Sequence, residues 1–337
     1  MVRITQKELA KKLHVSQTTI SRVVRNSVKL KKETKARIAA HIQKSGYVPN
    51  LLAKGLREGR TNTVGLILPY FNFLEGYNTA RIVAGLGATA NSLNYHLIVT
   101  DFSQYLTATQ ALQEIIHGRR MDGVFAFLDI PTVDPPFLSF LQQEEIPFIF
   151  LNSNRPERDL CCVGSENLNG VCRVTGHLVQ QGRRRFAFLG ENPHSLLASE
   201  RLEGYRKALR DSGISFSLEI ARNAGYRNYP EFGYQETFNL LRGQERPDAI
   251  VCYADEMAIG ALRAAGEKGL KIPDEISIVG FGDVKESGHT IPPLTTVRED
   301  GYQIGKTAME MMAAILKGES LKERKVKIPT ELVVRGS

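Results

Sequence analysis

From Thr63 onward, short apolar runs rich in β-branched residues alternate with amphipathic stretches of helical period. This alternation is typical of parallel α/β sheets, in which helices connect strands that are buried on both faces. The predicted strands are TVGLIL (63–68), YHLIVT (95–100), GVFAF (123–127), PFIFL (147–151), RFAFLG (185–190), AIVCY (249–253) and ISIVGF (276–281). The pattern predicts an α/β region that occupies most of the chain.

An internal repeat indicates that this α/β region has two similar halves. The string RRMDGVFAF at 119–127 resembles ERPDAIVCY at 245–253. Two α/β lobes of this kind form a cleft where the carboxyl ends of their strands meet, and small molecules bind in such clefts. The sequence therefore predicts a ligand site between two lobes.

Before Thr63 the pattern changes to three short helices. The string TQKE, which begins at Thr5, is a capping box, whose hydroxyl and carboxylate bind free N–H groups of the first turn. The first helix is predicted to end near Leu13, Ser16 caps a second helix to about Arg25, and 32–45 form a third. The residues predicted to face inward are Leu9, Ala10, Leu13, Ile20, Val23, Val24, Ile38, Ala39 and Ile42.

The second of these helices has a continuous polar face. At 100° per residue, Gln17, Thr18, Ser21, Arg22 and Arg25 share one side, away from the apolar residues. A helix that follows another across a tight turn and exposes amide, hydroxyl and guanidinium groups matches a helix-turn-helix reader of the DNA major groove. The alternative is an ordinary amphipathic helix with a solvated face.

The charge of the chain is concentrated at its N-terminus. Residues 1–60 contain fifteen Lys and Arg against three Glu, a net charge of +12, whereas the whole chain has +8, so the rest has −4. A compact basic block indicates a polyanionic partner, nucleic acid first and an anionic membrane second. A membrane-surface helix would need bulky aromatic residues, and Tyr47 is the only aromatic residue before residue 70. The charge pattern therefore favours DNA.

The segment NLLAKGLREGRT, residues 50–61, joins the two regions. It contains one short helical stretch, which Pro49 and Gly59 bracket and Gly55 interrupts. An isolated helix of this length is marginal in water, so we expect it to form only when something packs on it. The sequence therefore predicts a conditional hinge helix.

Several strings of the chain resemble the LacI/GalR family of bacterial transcriptional repressors. They are RITQKELAKKLHVSQTTISRVVRN (3–26), RLEGYRKALRDSGI (201–214), ADEMAIGALRAAGEKGLKIPDEISIVGFGD (254–283) and PPLTTVRED (292–300). The resemblance covers essentially the whole chain. It implies a cytoplasmic homodimer that binds double-stranded, pseudo-palindromic operator DNA through a helix-turn-helix headpiece, and a small-molecule effector through a two-lobed domain like that of periplasmic binding proteins.

With this resemblance, three segments are expected. Residues 1–48 form the headpiece, 49–61 the hinge helix and linker, and 62–337 the effector-binding and dimerisation domain. The expected lobes are approximately 62–159 with 292–321, and 160–291 with 322–337.

The resemblance also implies particular DNA contacts. Gln17, Thr18 and Arg22 fall where the family reads bases. Leu56 matches a leucine that wedges into the minor groove at the operator centre, which bends the site. The full predicted DNA-binding set adds contacts near phosphates and beside the hinge: Thr5, Ser16, Gln17, Thr18, Thr19, Ser21, Arg22, Asn26, Tyr47, Asn50, Ala53, Lys54 and Leu56.

The implied effector site is centred on Arg201, which matches the pocket arginine of the family and could clamp a hydroxyl pair or an anionic group. Ala254 and Gly282 stand where many sugar-binding members have polar side chains, so a plain sugar is not the only candidate. Each pocket residue could equally serve in packing of the lobes. The predicted effector-binding residues are Phe71, Tyr77, Asn152, Arg201, Tyr226, Asp255 and Asp283.

Other classes of protein have little support in the sequence. The dinucleotide-like string GLGATA (85–90) lies within an apparent helix rather than directly after a strand, and no phosphate loop, nucleophile elbow or HExxH motif occurs. We therefore expect no catalytic residue, cofactor or metal. The four cysteines form no CxxC pair and have no histidine at ligand spacing, so we expect them to be small apolar residues.

Membrane and secreted classes also have little support. No run of 18 apolar residues occurs, and the N-terminus has no apolar segment that could direct secretion, as a secreted solute-binding protein would require. The final residues, VVRGS, show no heptad extension, so a dimer is expected rather than a tetramer held by a terminal coiled coil.

Overall fold

The computed structural model describes residues 5–24, 32–45, 60–69, 74–101, 121–127, 143, 146–154, 160–191, 195–215, 217–221 and 229–337. The chain divides into two compact units, Met1–Thr61 and Asn62–Ser337. None of the described helices combines the length and the apolar composition needed to cross a membrane.

The described residues of the first unit form three helices: α1 (Gln6–Leu13), α2 (Gln17–Val24) and α3 (Lys32–Ser45). The predicted capping box is present at Thr5, whose hydroxyl accepts a hydrogen bond from the Glu8 N–H while its own N–H donates to the Glu8 carboxylate at 2.7 Å. This arrangement satisfies free groups of the first turn and fixes where α1 begins.

The core of this unit is small, and the predicted inward residues whose side chains the structure describes lie in it, with one exception; the side chain of Val24 lies outside the described part. Leu9, Ile20 and Ile38 are fully buried, one from each helix. Ala39, which was predicted to face inward, is exposed. A residue that follows Ile38 is rotated by about 100° around the helix axis, which takes it out of the narrow stripe that α3 buries. Ile42, one turn after Ile38, is half-buried against the same core.

The second unit contains two six-stranded sheets. The strands are β1 (Thr63–Leu68), β2 (His96–Asp101), β3 (Gly123–Ala126), β4 (Phe148–Leu151), β5 (Cys161–Ser165), β6 (Phe186–Gly190), β7 (Ser217–Ala221), β8 (Ala249–Cys252), β9 (Ser277–Gly282), β10 (Thr295–Arg298), β11 (Lys325–Ile328) and β12 (Glu331–Val333). The first sheet has the order β11-β5-β4-β3-β1-β2 and the second β12-β10-β9-β8-β6-β7. All neighbouring strands are parallel except β10 and β12.

In the part of the second unit that the structure describes, six α-helices cover these sheets: α4 (Tyr77–Ser92), α5 (Asn167–Gln180), α6 (Leu196–Asp211), α7 (Tyr229–Leu240), α8 (Asp255–Glu267) and α9 (Gly301–Lys317). In the first lobe, α4 and α9 pack on apolar residues of the sheet. In the second lobe, apolar residues on one face of the sheet pack on α7 and α8, and those on the other on α5 and α6. The two-lobed α/β architecture predicted from the sequence is thereby confirmed.

The chain passes between the lobes at other points than predicted. Strands β5 and β11 belong to the first sheet, whereas β10 and β12 belong to the second. The passages therefore lie at 165–167, 298–301 and 328–331 rather than near 160, 292 and 322. Backbone hydrogen bonding sets these points, because β5 pairs with β4 on one side and with β11 on the other.

The string GLGATA lies inside α4, as predicted, and its first glycine has a packing role. A Cβ atom on Gly85 would lie 2.1 Å from the carbonyl oxygen of Tyr302 in α9, and one on Gly305 would lie 2.0 Å from that of Ile82. These two glycines let the backbones of α4 and α9 approach each other closely.

The close approach gives a test of the packing of the first lobe. Gly305→Ala should destabilise the second unit by about 1–3 kcal/mol, because a methyl group has no room between α4 and α9. Gly176→Ala in α5 is the control, since no atom lies within 4 Å of the added Cβ. It should raise stability by up to about 1 kcal/mol through helix propensity. Urea unfolding of both variants measures the difference, and equal effects would contradict the packing argument.

Candidate functional site

The helix α2 presents a capped N-terminus with exposed polar groups. Ser16 precedes it, and its hydroxyl accepts a hydrogen bond from the Thr19 N–H at 3.1 Å and contacts the Thr19 hydroxyl at 2.8 Å. Gln17, Thr18 and Arg22 are all exposed. The structure therefore brings together, on one side of a short helix, the three side chains that were predicted to contact bases.

The connection between α1 and α2 is as short as a helix-turn-helix requires. His14 ends α1 in the left-handed conformation, with φ of 49°, and its N–H points back to the carbonyl oxygens of Ala10 and Lys11. The Val15 N–H also donates to the Ala10 carbonyl, at 3.1 Å. These bonds turn the chain within a few residues, so that α2 begins directly beside α1.

Ser21 does not lie on the exposed face that the sequence predicted. Its side chain is only 7% exposed. The position borders the buried side of α2, and a small side chain there fits into the headpiece interior. The predicted phosphate contact of the Ser21 hydroxyl stays a prediction.

Several predicted site residues lie outside the described residues. For the DNA-binding set these are Asn26, Tyr47, Asn50, Ala53, Lys54 and Leu56, and for the effector set Phe71 and Tyr226. The predicted hinge helix also falls there.

Of the effector set, Tyr77 and Asn152 lie at ends of elements in the first lobe. Tyr77 begins α4 and is half-buried. Asn152 follows β4 in a left-handed conformation, with φ of 48°, and its buried Oδ1 has no hydrogen-bond donor within the described residues. Asn152 therefore offers an unused acceptor at the carboxyl end of a central strand.

Arg201, in α6, is 5% exposed, and the protein itself uses its guanidinium group. Nε donates to Asn167 Oδ1 at 3.0 Å, Nη1 donates to the Tyr253 carbonyl at 2.8 Å, and Nη2 lies 3.4 Å from Glu299 Oε2. The guanidinium carbon lies 3.8 Å from the ring centroid of Phe281 and 4.5 Å from that of Tyr253. The guanidinium group of Arg201 therefore already has partners within the protein, whereas the prediction was that it binds a ligand.

Glu200, beside Arg201, connects the two lobes. Its Oε2 accepts hydrogen bonds from Asn154 at 2.5 Å and from Asn167 at 3.2 Å, and its Oε1 lies 3.3 Å from Nζ of Lys327. Asn154 follows β4 and Lys327 lies in β11, both in the first lobe, whereas Glu200 belongs to α6 of the second. These contacts join α6 of the second lobe to β11 and to the segment that follows β4 in the first lobe.

Asp255 has a structural role in this geometry instead of the predicted effector contact. It is fully buried at the first turn of α8. Its Oδ2 accepts from the Val284 N–H at 2.9 Å and the Ser287 hydroxyl at 2.7 Å, and its Oδ1 accepts from the Thr296 hydroxyl. Both oxygens are occupied, so Asp255 anchors the chain between β9 and β10 and leaves nothing for a ligand to bind.

Asp283 is likewise held by the protein. Its Oδ1 accepts from Arg335 at 2.6 Å and its Oδ2 from Arg298 at 2.7 Å. Burial acts to raise the pKa of Asp283, but the hydrogen bonds from Arg335 and Arg298 outweigh it and hold the pKa below its ordinary value. This carboxylate ties the C-terminal segment to the end of β9, which differs from the predicted effector contact.

Sequence reasoning missed the residues that surround Arg201. Glu299 and Asn167 lie where the chain passes between lobes, and Phe281 ends the apolar run of β9. Glu299 directly follows β10. Because TTVR was not predicted as a strand, the sequence did not indicate that this glutamate lies at the end of a strand. The signal that could have identified Glu299 and Asn167 is the acidic and amide residues at the ends of the strings PPLTTVRED and CCVGSEN.

The four cysteines of the chain are free thiols. Cys161, Cys162 and Cys252 are buried, whereas Cys172 is half-buried. Burial raises the pKa of the Cys161 thiol, which keeps it protonated. The described residues contain no cluster of three or more His, Cys, Asp or Glu that could hold a metal ion.

The two aspartates give a test by pH. Burial raises the pKa of Asp255 from 3.8 to about 6, although three hydrogen bonds oppose it. Between these values the folded chain binds a proton that the unfolded chain has released, so this group lowers stability as pH rises, by up to about 3 kcal/mol. The unfolding free energy of wild type minus that of Asp255→Asn should therefore fall steadily as pH rises from about 4 to about 6.

Asp283→Asn is the control with the opposite sign. Because the pKa of Asp283 is lowered in the folded chain, its ionised form stabilises the fold above the ordinary pKa. That contribution is lost as pH falls through the lowered pKa. A difference between wild type and Asp255→Asn that stays constant with pH would show that the burial of Asp255 has no such effect.

Comparisons with known proteins agree with this geometry. The family model described as "Bacterial regulatory proteins, lacI family" matches residues 5–50, and that described as "Periplasmic binding protein-like domain" matches residues 175–337. Catabolite control protein A of Staphylococcus aureus is 28% identical over 335 residues, which cover 99% of each chain. The transcriptional repressor CytR of Escherichia coli is 28% identical over 334 residues, 99% of this chain and 96% of the relative.

A solved structure extends the comparison to the whole fold. The lac repressor dimer bound to operator and the anti-inducer ONPF matches with a TM-score of 0.86 and 26% identity, over 99% of this chain and 98% of that chain. The two matched domains, the full-length relatives and the shared fold agree: the chain has a DNA-binding domain of the lacI family of bacterial regulatory proteins, followed by a periplasmic binding protein-like domain.

Proposed function

We propose that the protein is a transcriptional repressor that binds a pseudo-palindromic operator as a homodimer, under the control of a small-molecule effector in the cleft between its lobes. The lac repressor was solved as a dimer on its operator with an anti-inducer, and CytR is a transcriptional repressor. The same arrangement of domains supports the same kind of activity for this chain.

The observation that supports DNA binding most directly is the exposed side of α2. Gln17, Thr18 and Arg22 project from a helix whose opposite side is fixed in a core by Ile20 and Val23. An amide can bind adenine through two hydrogen bonds, and a guanidinium group can bind guanine in the same way. Because the helix is held by packing and by its Ser16 cap, these groups meet the major groove in a fixed register.

The charge distribution supports the same proposal. Residues 1–60 have a net charge of +12, whereas the remainder of the chain has −4. Contacts with phosphates supply most of the sequence-independent affinity for DNA, and they depend on a concentrated positive charge. The headpiece and the hinge segment that follows it have this charge.

The polar residues near the segments where the chain crosses between the lobes support the proposal of an effector site there. Asn152 has an unused acceptor, and Arg201 and Glu200 lie where contacts between the lobes concentrate. A ligand that binds between lobes changes their preferred arrangement by as much as its affinity differs between two arrangements. An inducer prefers the state released from DNA and a corepressor the bound state.

We further infer that the protein regulates transcription and does not catalyse a reaction. The relatives are regulatory DNA-binding proteins, and the polar groups described at the lobe passages pair with each other instead of forming a nucleophile with a general base. Operator binding would place the protein in the bacterial cytoplasm, where the chromosome lies.

The experiment that tests the proposal is selection of bound sequences from a random double-stranded DNA library, followed by footprinting of the selected site. The expected result is a protected site with twofold symmetry, whose half-sites lie about one helical turn apart. Selection of no sequence above background would refute the proposal.

Arg22→Ala tests the reading face. We expect a loss of operator affinity of about 1–3 kcal/mol and relaxed specificity at one base pair of each half-site. Arg37→Ala is the matched control, because Arg37 is an exposed residue of α3 and its removal takes away the same charge. The control should weaken operator and non-specific DNA to a similar extent. If Arg22→Ala behaves like the control, Arg22 binds phosphate and reads no base.

Leu56→Ala tests the predicted minor-groove wedge. A leucine inserted between base steps acts only where the DNA is bent, so the variant should lose operator affinity while binding to non-specific DNA stays nearly unchanged. Titration of both DNAs by fluorescence anisotropy at one salt concentration measures the two losses. Equal losses would refute the wedge.

A further inference from the structure

Glu299 is a buried carboxylate at the second passage between the lobes, between β10 and α9. The residue is 8% exposed. Its Oε2 accepts a hydrogen bond from Asn78 of α4 at 3.0 Å and lies 3.4 Å from Nη2 of Arg201. One carboxylate oxygen therefore contacts a helix of each lobe.

The other oxygen of Glu299 is unused. Oε1 is buried from solvent and has no hydrogen-bond donor within the described residues. A buried carboxylate oxygen without a donor is costly, because it has lost its water and gained nothing in return. Such an atom is a strong acceptor, and a ligand could satisfy it by donating a hydrogen bond.

Arg201 does not offer the complementary positive charge to a ligand. Its Nε and Nη1 donate to Asn167 and to the Tyr253 carbonyl, and Nη2 faces Glu299. Aromatic rings of Phe281 and Tyr253 also lie against the guanidinium group. The buried Arg201 and Glu299 neutralise each other, so a ligand meets a polar region with no net charge from this pair.

Other atoms without a partner, at the carboxyl ends of strands in the first lobe, can also accept hydrogen bonds. Asn152 Oδ1 follows β4, and the hydroxyls of Ser153 and Ser165, at the ends of β4 and β5, have no partner within the described residues. The amide oxygen can only accept, whereas the hydroxyls can donate or accept. Together with Glu299 Oε1, the unused set contains two obligate acceptors and no obligate donor.

We propose that Glu299 determines the charge class of the effector: the site accepts an uncharged ligand rich in hydroxyl or amino donors and rejects phosphorylated or carboxylated ligands. This inference rests on the proposed effector site. A phosphate group or carboxylate has oxygens that only accept, so it cannot satisfy Glu299 Oε1 or Asn152 Oδ1. It would also place a second negative charge beside the Glu299 carboxylate, where burial strengthens the repulsion.

The test uses the full-length chain and inorganic phosphate as the anionic probe. Glu299→Gln keeps the shape of the side chain but removes its charge, which leaves Arg201 buried without a counter-ion. We expect this variant to melt below wild type in phosphate-free buffer. We also expect phosphate to raise its Tm saturably, by about 3 °C at ten times the dissociation constant, because phosphate replaces the lost charge.

Wild type and Glu331→Gln are the controls. Glu331 pairs with Arg298 at 3.0 Å on the surface, so its substitution removes one negative charge without reaching Arg201. Neither control should gain the saturable shift, and any weak effect of phosphate on the basic headpiece is common to all three proteins. If the Glu299 variant folds only when phosphate is present, the folded yield against phosphate concentration replaces Tm as the readout.

The phosphate titrations test the proposed role of Glu299 separately from operator binding. A phosphate shift in Glu299→Gln alone supports the proposal. A saturable shift in wild type, or none in Glu299→Gln, overturns it, and so does stabilisation of wild type by glucose 6-phosphate or AMP beyond that by glucose or adenosine. Operator titration of the same proteins without probe tests the proposed function independently, because the phosphate result does not depend on DNA.

Discussion

The contacts of the buried Arg201 guanidinium group hold together the segments where the chain crosses between the lobes. Its partners come from α5, from the end of β8, and from the chain between β10 and α9, and the ring of Phe281 covers it. A buried cation is costly unless every such partner is in place. Because the partners belong to different elements, satisfying this one charge fixes where those elements meet, and removal of Glu299 or Asn167 would disturb them all.

Two aspartates of the second lobe, Asp255 fully buried and Asp283 partly buried, show how partners decide the role of a carboxylate. Only neutral donors contact Asp255, so burial prevails and its pKa is raised. Asp283 contacts Arg298 and Arg335, so its pKa is lowered although burial opposes this. The first aspartate is suited to hold a loop through hydroxyl and amide donors, and the second to hold the C-terminal segment by charge. Neither has a free oxygen for a ligand, whereas Glu299 Oε1 and Asn152 Oδ1 have no hydrogen-bond donor within the described residues.

The fold was largely predictable from the sequence because central strands are apolar on both faces. TVGLIL was predicted and observed at the same bounds, and the third helix likewise at Lys32–Ser45. The strands that were missed include β7, β11 and β12, which lie at sheet edges and contain charged residues, as edge strands commonly do. The site was less predictable. The donors to Asp255 lie 29, 32 and 41 residues away in the chain, so no local pattern distinguishes a carboxylate that anchors a loop from one that faces a cleft.

The charge of the two units constrains how an effector could control DNA binding. The positive charge lies before residue 61, and the rest of the chain has a net charge of −4, so the effector domain adds no attraction for phosphates. An uncharged effector leaves that balance unchanged, and its influence cannot be electrostatic at long range. It must act through geometry, by favouring one arrangement of the lobes over another. The contacts of Glu200 and Glu299 suit this, since each carboxylate binds residues of both lobes, and a ligand that donates to Glu299 Oε1 would bind the same carboxylate whose Oε2 contacts both lobes.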